Sequence, residues 1–391
     1  MTNKQKVLFI ANKPAYPKID GGSIAISKLV ESFEKINYCI DIVSISKSYY
    51  NNLKIPDHYK PSKNINQYTF HKKMKINLFN IINSIINNKS IQALRFYDNQ
   101  INKYIQNLID SREYKTIIFE SIFSTIYLDK IKFSKDTKLI LRAHNIEHEI
   151  WFNLSEKNPI KKIIFYALGM QIKKMELNIP KFLDYIFTIS KNDFIFFKKI
   201  FPNKTNLIPV FFKTKNIKTK KISKSIVHLG SMDWKPNVEG IDWFTKNVIS
   251  KVSEYDKFKI YIAGKKMPKK YLEAKFKNTF ISGKVENALD YISNKEILFV
   301  PIFSGSGIRI KILEAMAIGM AVISTQKGAQ GIPYKNGHDI IIANSAEDFY
   351  KYICLLTKNK ELAIKIGENG KRLIEKYFCE KEILKKLINL V

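Results

Sequence analysis

Residues that could bind a phosphate group are concentrated in residues 301–317, PIFSGSGIRIKILEAMA. The small residues 304–307 (SGSG) separate an apolar strand pattern from a helix pattern, and unobstructed backbone N–H groups at a helix N-terminus bind phosphate well. Arg309 and Lys311 follow within the first predicted turn, where cations beside the positive end of a helix dipole are unfavourable unless an anion bridges them. The segment therefore predicts a ligand with two negative charges.

One carboxylate in the same helix pattern suits another part of such a ligand. Glu314 follows about two turns into the helix, where its two oxygens can accept hydrogen bonds from a vicinal diol such as a ribose. A Gly-Ser-Gly turn alone also fits any α/β loop that needs small residues. Joined to the two cations and Glu314, it favours a ligand-binding function.

A loop in the first half of the chain has a weaker pattern of the same kind. Residues 14–22 end in Asp20-Gly21-Gly22 directly before a helix pattern, and two glycines permit close backbone approach to a ligand. The residues alone favour a plain strand-to-helix turn.

Two histidines and two glutamates lie together in residues 144–149, HNIEHE. Their spacing is not that of a helical zinc site, and His144, Glu147 and His148 also suit the cap of a helix. Because no Asp-x-Asp pair stands at the end of a suitable strand, we expect a site without metal.

The elements that must position these residues alternate between strand and helix patterns in both halves. In the first half, strands are predicted at residues 5–11, 39–45, 116–119, 138–143 and 185–188, with a helix at 23–36. In the second half, strands are predicted at 225–231, 258–264, 278–285, 297–302 and 320–325, with helices near 237–253 and 307–317. The stretch from residue 346 is predicted helical with breaks near Gly367 and Gly370.

The repeated β/α order predicts an α/β protein with two Rossmann-like domains. We place the first at residues 1–212, a lysine-rich linker at 213–224, and the second at 225–377. A helix at about 378–391 is expected to pack back on the first domain.

Composition excludes several classes of protein. Hydrophobic residues make up 45% of the 391 residues, which is too many for a disordered chain. The three cysteines are far apart and give neither a disulfide framework nor a zinc spacing. The sequence shows no secretory leader pattern and no apolar run long enough to span a membrane, so we expect a cytoplasmic protein.

The chain is strongly basic, with 66 Lys and Arg against 35 Asp and Glu. The excess is +16 in residues 1–212 (33 − 17) and +15 in the remainder (33 − 18). The positive charge is therefore spread over the whole protein and does not mark one binding patch. Only five of the basic residues are Arg, and no motif for reading nucleic acid is present. A polyanion-binding or nucleic-acid-binding protein is therefore the less favoured class.

Two segments interleave lysines with aromatic and apolar residues, 157–174 (KNPIKKIIFYALGMQIKK) and 194–204 (FIFFKKIFPNK). Such segments suit an anionic membrane surface, although ordinary core helices with solvated lysines explain either one as well. Peripheral contact with the inner face of a membrane is a hypothesis that follows.

The second half resembles the donor-binding half of family 4 glycosyltransferases, which have the GT-B fold. The likeness rests on residues 301–317, on 319–332 (GMAVISTQKGAQGI), on 228–244 (HLGSMDWKPNVEGIDWF), and on IYIAG and ISGKV at 260–264 and 281–285. It extends more loosely over the first half. The resemblance implies a hexosyltransferase-type enzyme that transfers a sugar from a nucleotide diphosphate sugar, with retention of configuration and without metal or other cofactor.

The resemblance also assigns donor contacts, with two departures from the family pattern. Of the family's glutamate pair, Glu314 matches the member that binds the ribose, whereas Ser306 stands where the other would be. Ser231 and Asn237 stand where the family often has an Arg and a Lys that hold the diphosphate. We expect Arg309 and Lys311 to supply that charge, with Lys235 as a weaker candidate.

Further contacts implied by the resemblance come mainly from the backbone. We expect Gly22, Gly230 and Gly307 beside the phosphates, the nucleotide base near Lys265 and Val285, and His144 against the donor sugar or the acceptor. The first domain is expected to bind a glycan or lipid-linked acceptor, in surface polysaccharide or glycoconjugate synthesis. A nucleotide-sugar epimerase or a phosphorylase of the same fold is the alternative.

Overall fold

The computed structural model describes residues 4–47, 52–74, 84, 89–157, 159–217, 219–252 and 257–391. By contacts within the chain it divides into two compact units, Met1–Val210 with Lys381–Val391, and Phe211–Glu380. Each unit is built on a sheet whose strands are mostly parallel.

The first unit contains the strands β1 (Lys6–Ala11), β2 (Cys39–Lys47), β3 (Asn52–Ser62), β4 (Ile65–Lys72), β5 (Thr116–Glu120), β6 (Lys138–Ala143), β7 (Tyr185–Thr188) and β8 (Thr205–Leu207). They form a sheet in the order β3-β4-β2-β1-β5-β6-β7-β8, in which only β3 runs antiparallel to its neighbour. Every residue of β5 is buried, as expected for a strand covered on both faces.

The helices of this unit are α1 (Gly21–Lys35), α2 (Ile91–Leu94), α3 (Asn99–Ser111), α4 (Glu147–Lys157), α5 (Lys162–Asn178) and α6 (Lys191–Ile200), with 3-10 turns at Ile122–Tyr127, Pro159–Lys161 and Ile179–Phe182. Helix α1 begins with a capping box in which Asp20 and Ser23 satisfy each other's backbone N–H groups.

The second unit contains a fully parallel sheet in the order β11-β10-β9-β12-β13-β14. Its strands are β9 (Ser225–Leu229), β10 (Lys259–Ala263), β11 (Thr279–Ser282), β12 (Ile297–Val300), β13 (Ala321–Ser324) and β14 (Ile341–Ile342). Its helices are α7 (Lys235–Asn247), α8 (Lys269–Leu272), α9 (Ala288–Ser293), α10 (Ile310–Ala317), α11 (Ala346–Lys358) and α12 (Lys360–Tyr377), with a 3-10 turn at Ile249–Lys251. The last helix of the chain, α13 (Glu380–Leu390), follows this unit in sequence.

The predicted α/β class with two Rossmann-like sheets is confirmed, and the corrections concern individual elements. Helix α12 runs unbroken through Gly367 and Gly370, where breaks were predicted. A Cβ at Gly367 would lie 2.2 Å from the carbonyl oxygen of Gly319. The glycine is therefore a close-packing position within a helix, and the break lies at Asn359 instead.

Two strands that the sequence did not predict, β3 and β4, extend the first sheet at one edge. Strand β3 carries Pro56 and Pro61, which weaken its alternating pattern and are tolerated because an edge strand leaves some backbone groups unpaired. The predicted linker, residues 213–224, lies along the second unit, where the Lys215 N–H donates to the carbonyl oxygen of Ala317 over 3.0 Å.

Candidate functional site

The strand order of the second sheet defines where a ligand can bind. Strands β10 and β11 lie on one side of β9, and β12 and β13 lie on the other, so the order reverses between β9 and β12. In open α/β sheets, ligands bind outside the carboxyl ends of the strands at such a switch point. The loops that follow β9 and β12, residues 230–234 and 301–309, meet there at Trp234, which lies against Gly305 and Arg309.

The backbone of the first of these loops is held close to the neighbouring strand. The Gly230 N–H donates to Ala263 O over 3.0 Å, and the Gly264 N–H donates to Gly283 O over 3.1 Å. A Cβ at Gly264 would lie only 1.7 Å from Gly230 O. Only glycine fits at position 264, because a side chain there would displace the loop after β9.

Lys311 extends from α10 to this first loop. Its Nζ donates to Asn237 Oδ1 over 3.0 Å, and Asn237 Nδ2 in turn donates to Ser231 O over 2.7 Å. A Cβ at Gly230 would lie 2.6 Å from the same ammonium nitrogen. The structure thus places the Lys311 charge beside Ser231 of the loop and Asn237 of α7, where the sequence lacks the expected cations.

The surroundings of Lys311 weaken its hold on a proton. Burial, together with the smaller effect of the Arg309 charge, lowers the pKa of Lys311 from 10.5 to about 7, and Glu314 partly opposes this shift. A nearby anion would favour the charged form of this lysine.

Arg309 is 5% exposed and is the N-cap residue of α10. Its Nη1 donates to the carbonyl oxygens of Ser306 and Gly307, and Nη2 donates to Ser304 O over 3.3 Å. The guanidinium carbon lies 4.8 Å from the centroid of the Trp234 ring. Burial lowers its pKa from 12.5 to about 10. The buried side chain of Arg309 therefore fixes the backbone of residues 304–307 through these hydrogen bonds.

The glycines of the loop at residues 301–309 allow its backbone to contact Trp234 closely. Gly305 and Gly307 both have φ of 83°, a left-handed conformation that glycine adopts without strain. A Cβ at Gly305 would lie 2.9 Å from the Trp234 ring. The backbone between β12 and α10 therefore lies against the indole with no side chain between them.

The other predicted donor residues of this unit are at the same edge of the sheet or close to it. Ser306 and Glu314 are half-buried, and α10 begins at Ile310, so Glu314 lies one turn into the helix, where the sequence predicted two. Lys265 follows β10, with Nζ 3.5 Å from Asp233 Oδ2. Val285 is half-buried in the loop after β11.

Sequence reasoning missed His228, which is completely buried on β9. Its Nδ1 donates to Phe299 O over 3.1 Å, and Nε2 has no hydrogen-bond partner among the described residues. Burial and the Lys311 charge hold its pKa well below the ordinary value. A histidine within an otherwise apolar strand, SIVHL, was the available signal.

In the first unit, Gly22 lies in the first turn of α1 beside an ion pair. Lys13 Nζ lies 2.7 Å from Asp20 Oδ2, and a Cβ at Gly22 would lie 2.9 Å from that nitrogen. The glycine leaves room for Lys13 at the carboxyl end of β1. Lys13 was not singled out in the sequence.

His144 follows β6 and pairs with a carboxylate on the neighbouring strand. Its Nε2 lies 2.6 Å from Oε2 of Glu120, the last residue of β5, which has no exposed surface. The other oxygen, Oε1, has no partner in the described part of the chain. Sequence reasoning missed Glu120, although a carboxylate ending the buried strand TIIFE was a visible signal.

His148 and Glu147 belong to the N-terminus of α4. Glu176 accepts hydrogen bonds from the backbone N–H of Glu147 over 2.7 Å, from that of His148 over 3.3 Å, and from His148 Nδ1 over 2.5 Å. Burial raises the pKa of Glu147 to about 7, and it raises that of Asp193 to about 6. Among the described residues, no three His, Cys, Asp or Glu side chains are arranged to hold a metal.

A family model described as "Glycosyl transferases group 1" matches residues 223–359. The matched range contains the loops after β9 and β12, together with Lys311 and Glu314. Among the described helices, none has the length and apolarity to cross a bilayer.

Relatives cover nearly the whole chain. A Klebsiella pneumoniae protein named as an uncharacterized 44.6 kDa protein in the cps region is 23% identical over 98% of both chains. TarM superimposes with a TM-score of 0.70 at 14% identity, covering 100% of this chain and 99% of its own. Anabaena HepE, solved with UDP and glucose, superimposes with a TM-score of 0.65 at 12% identity over 98% of both chains.

The similarities to solved structures and to the family model agree with the sheet topology described above. Two Rossmann-like sheets, each described by itself above, are the building units of GT-B glycosyltransferase structures. The chain is a glycosyltransferase with the GT-B fold, and its similarity to the group 1 family model covers residues 223–359.

Proposed function

We propose that the chain transfers a sugar from a nucleotide diphosphate sugar to a hydroxyl of a glycan or lipid-linked acceptor, with retention of configuration. The observation that carries this proposal is the contact of Lys311 Nζ with Asn237, which brings a cation to the switch point of a parallel sheet. A cation there, beside the N-terminus of α10, suits a diphosphate.

The donor would lie along the carboxyl edge of the second sheet. Lys311 and the N-terminal turn of α10, with Ser306 and Gly307, would bind the diphosphate, while Glu314 would bind the ribose. The backbone near Gly230, Ser231, Lys265 and Val285 would surround the nucleoside. As the bond to the sugar breaks, negative charge develops on the diphosphate, and a preorganised cation and helix N-terminus stabilise it.

Arg309 acts in this proposal mainly by shaping the loop. Its hydrogen bonds to the carbonyl oxygens of Ser304, Ser306 and Gly307 hold the backbone whose N–H groups would face the phosphates. A guanidinium 5% exposed still adds positive charge to the site. Direct contact with phosphate, which the sequence suggested, remains a prediction.

Within the first unit, taken by itself, we propose roles for His144 and Gly22. His144 would bind a hydroxyl of the donor sugar or the acceptor, and Gly22 would allow a phosphate to approach the first turn of α1. No protein base is needed in a retaining mechanism in which the leaving phosphate takes the proton of the attacking hydroxyl. We propose that the reaction needs no metal.

The relatives support the choice of donor and the setting. HepE was solved with UDP and glucose, and TarM of S. aureus with UDP and α-GlcNAc-glycerol. The Klebsiella relative is named for the cps region. We therefore propose a UDP-sugar as donor and a role in surface polysaccharide or glycoconjugate synthesis.

The donor proposal is tested by calorimetry with UDP, GDP, ADP and their sugars. Binding of one nucleotide diphosphate is expected, and Glu314→Gln is expected to weaken it while the melting temperature stays unchanged. Glu361→Gln, an exposed carboxylate of α12, is the matched control. Equal affinity of the Glu314→Gln variant and the wild type contradicts the ribose assignment.

The reaction is tested by following the sugar. Transfer of labelled sugar from the nucleotide sugar to an added glycan or lipid-linked acceptor distinguishes a transferase from an epimerase, which needs no acceptor, and from a phosphorylase, which uses a sugar phosphate as donor. The anomeric configuration of the product, measured by the coupling between H1 and H2 of the transferred sugar, tests retention. An inverted product contradicts the retaining mechanism and leaves the transferase assignment intact.

A further inference from the structure

Helix α5 has an outer face that is apolar where a surface helix is ordinarily polar. Ile163, Tyr166 and Met170 recur at helical spacing and are 85%, 54% and 46% exposed. The opposite face is the packed one, where the Phe165 ring lies 6.0 Å from that of Trp151 and Gly169 lies against Phe152. The half-exposed Tyr166 ring also stacks on Phe152, with the centroids 5.2 Å apart, so Tyr166 borders the packed face while Ile163 and Met170 continue the exposed stripe.

Exposed apolar side chains also extend this face at its beginning. Ile164, in the first turn of α5, is 60% exposed, and Leu154 on the adjacent helix α4 is 40% exposed. Isolated apolar residues on a surface are common, but a contiguous group of this kind marks an interaction site.

Lysines border the stripe. Lys161 and Lys162 lie at the N-terminal end of α5 and are exposed, and Lys174 continues the line of Ile163 and Met170. The first turn of α5 contains no acidic residue. Exposed lysines beside an apolar stripe are complementary in charge to the phosphates of anionic lipids.

The second lysine-aromatic segment of the sequence has a different environment. Phe197 on α6 is 1% exposed and belongs to the apolar core, and Phe196 and Phe201 pack against that core. Its aromatic residues therefore stabilise the first unit, and the segment does not repeat the exposed stripe of α5.

We propose that the outer face of α5 docks on an anionic lipid bilayer, with Ile163, Ile164 and Tyr166 at the level of the headgroups. Apolar side chains of an interfacial helix enter the headgroup region while bordering lysines contact lipid phosphates. A second copy of this chain fits the face poorly, because both surfaces would carry the same lysines and each chain has a formal charge of +31. This inference requires no sugar transfer and so goes beyond the proposed function.

The test is co-sedimentation of the full chain with phosphatidylcholine vesicles that do or do not contain phosphatidylglycerol. Binding is expected only with phosphatidylglycerol. The double variant Ile163→Ser, Ile164→Ser is expected to lose most of it, and Lys161→Gln, Lys162→Gln is expected to lose about fivefold per lysine, from ~1 kcal/mol for each charge near the surface. Ile364→Ser, at an apolar residue of α12 that is 54% exposed, and Lys198→Gln, Lys199→Gln are the matched controls.

A fluorescence measurement locates the contact independently. Tyr166→Trp is expected to be quenched by vesicles with brominated acyl chains, whereas Phe280→Trp, at a similarly exposed position of the second unit, is not. Equal binding to neutral vesicles, no binding to either kind, or equal quenching at both positions overturns the proposal. So does a dimer in sedimentation velocity that the two serines convert to a monomer without any vesicle binding.

Discussion

His144 and Glu120 form a hydrogen-bonded pair at the carboxyl edge of the first sheet, with Nε2 of the ring 2.6 Å from Oε2 of a fully buried carboxylate. The carboxylate orients the ring by accepting a hydrogen bond from Nε2–H. Nδ1 has no hydrogen-bond partner within the described residues and is then left as an acceptor for a substrate hydroxyl.

The first prediction is that Glu120→Gln lowers turnover through His144. Loss of a hydrogen bond to a charged group costs about 1.5–3 kcal/mol, or about 10- to 100-fold in rate. In a double-mutant cycle, Glu120→Gln is expected to have little further effect once His144 is Ala. Nitrogen NMR of the ring is expected to show Nε2–H in the wild type and a mixture of tautomers in the variant. Additive losses, or an unchanged tautomer, contradict this role.

The second prediction concerns the pH dependence of nucleotide diphosphate binding. The pKa of Lys311 is about 7 in the free protein, and a bound diphosphate favours its charged form. At pH values above 7, Lys311 therefore takes up a proton when the diphosphate binds. Affinity is expected to fall as pH rises from 7 to about 9, by at most about tenfold per pH unit. Calorimetry in buffers of different ionisation enthalpy measures the proton uptake directly.

Lys311→Met is the control for that measurement, because it removes the titrating group. It is expected to weaken binding below pH 7 by about 10- to 100-fold and to abolish the pH dependence. The nearby ionisable groups are Arg309, Glu314 and the buried His228. A pH dependence that survives in the methionine variant assigns the proton to another of these groups.

The third prediction separates two roles of Arg309. If its guanidinium holds the loop, Arg309→Ala loses hydrogen bonds to three carbonyl oxygens and is expected to lower the free energy of unfolding by about 1–3 kcal/mol, together with turnover. Arg309→Lys is expected to recover little, since an ammonium cannot replace the planar fork. If the side chain only binds phosphate, turnover falls by about 10²–10³ while stability is unchanged. Chemical denaturation beside a rate assay distinguishes these outcomes.

The fourth prediction tests the close approach of the first loop to β10. Gly264→Ala places a Cβ where Gly230 O now lies 1.7 Å away, and is expected to destabilise the chain by about 1–3 kcal/mol or more and to weaken nucleotide binding. Gly283→Ala is the matched control, because a Cβ there has nothing within 4 Å. Equal urea midpoints for the two variants would show that the loop yields without cost.

The fifth prediction concerns Glu147, whose pKa of about 7 lies above its unfolded value. The folded state therefore holds a proton that the unfolded state has lost between about pH 4.5 and 7, so stability falls as pH rises through that range. Glu147→Gln is expected to flatten this slope and to stabilise the protein above pH 7. The exposed Glu156 of the same helix supplies the control, Glu156→Gln. Identical slopes in the wild type and the Glu147→Gln variant contradict the prediction.

Local patterns in the sequence determined most of the elements. Runs such as TIIFE and ILFV are apolar because both faces of a parallel sheet are covered, and such runs predicted their strands to within a few residues. The strands β3, β4, β8 and β14 were not predicted. The SGSG turn before α10 was likewise visible, because small residues between a strand and a helix have few alternatives. The resemblance to family 4 glycosyltransferases rested on these same local segments.

Tertiary structure decided the contacts between residues far apart in the chain. The sequence placed Lys311 on a helix but could not show that its Nζ reaches Asn237, 74 positions earlier, because that depends on β9 and β12 lying side by side. It also could not show that Glu120 on β5 meets His144 after β6. In the same way, Gly367 resembled a helix break until its contact with Gly319 was known, since local propensity does not include packing against a distant turn.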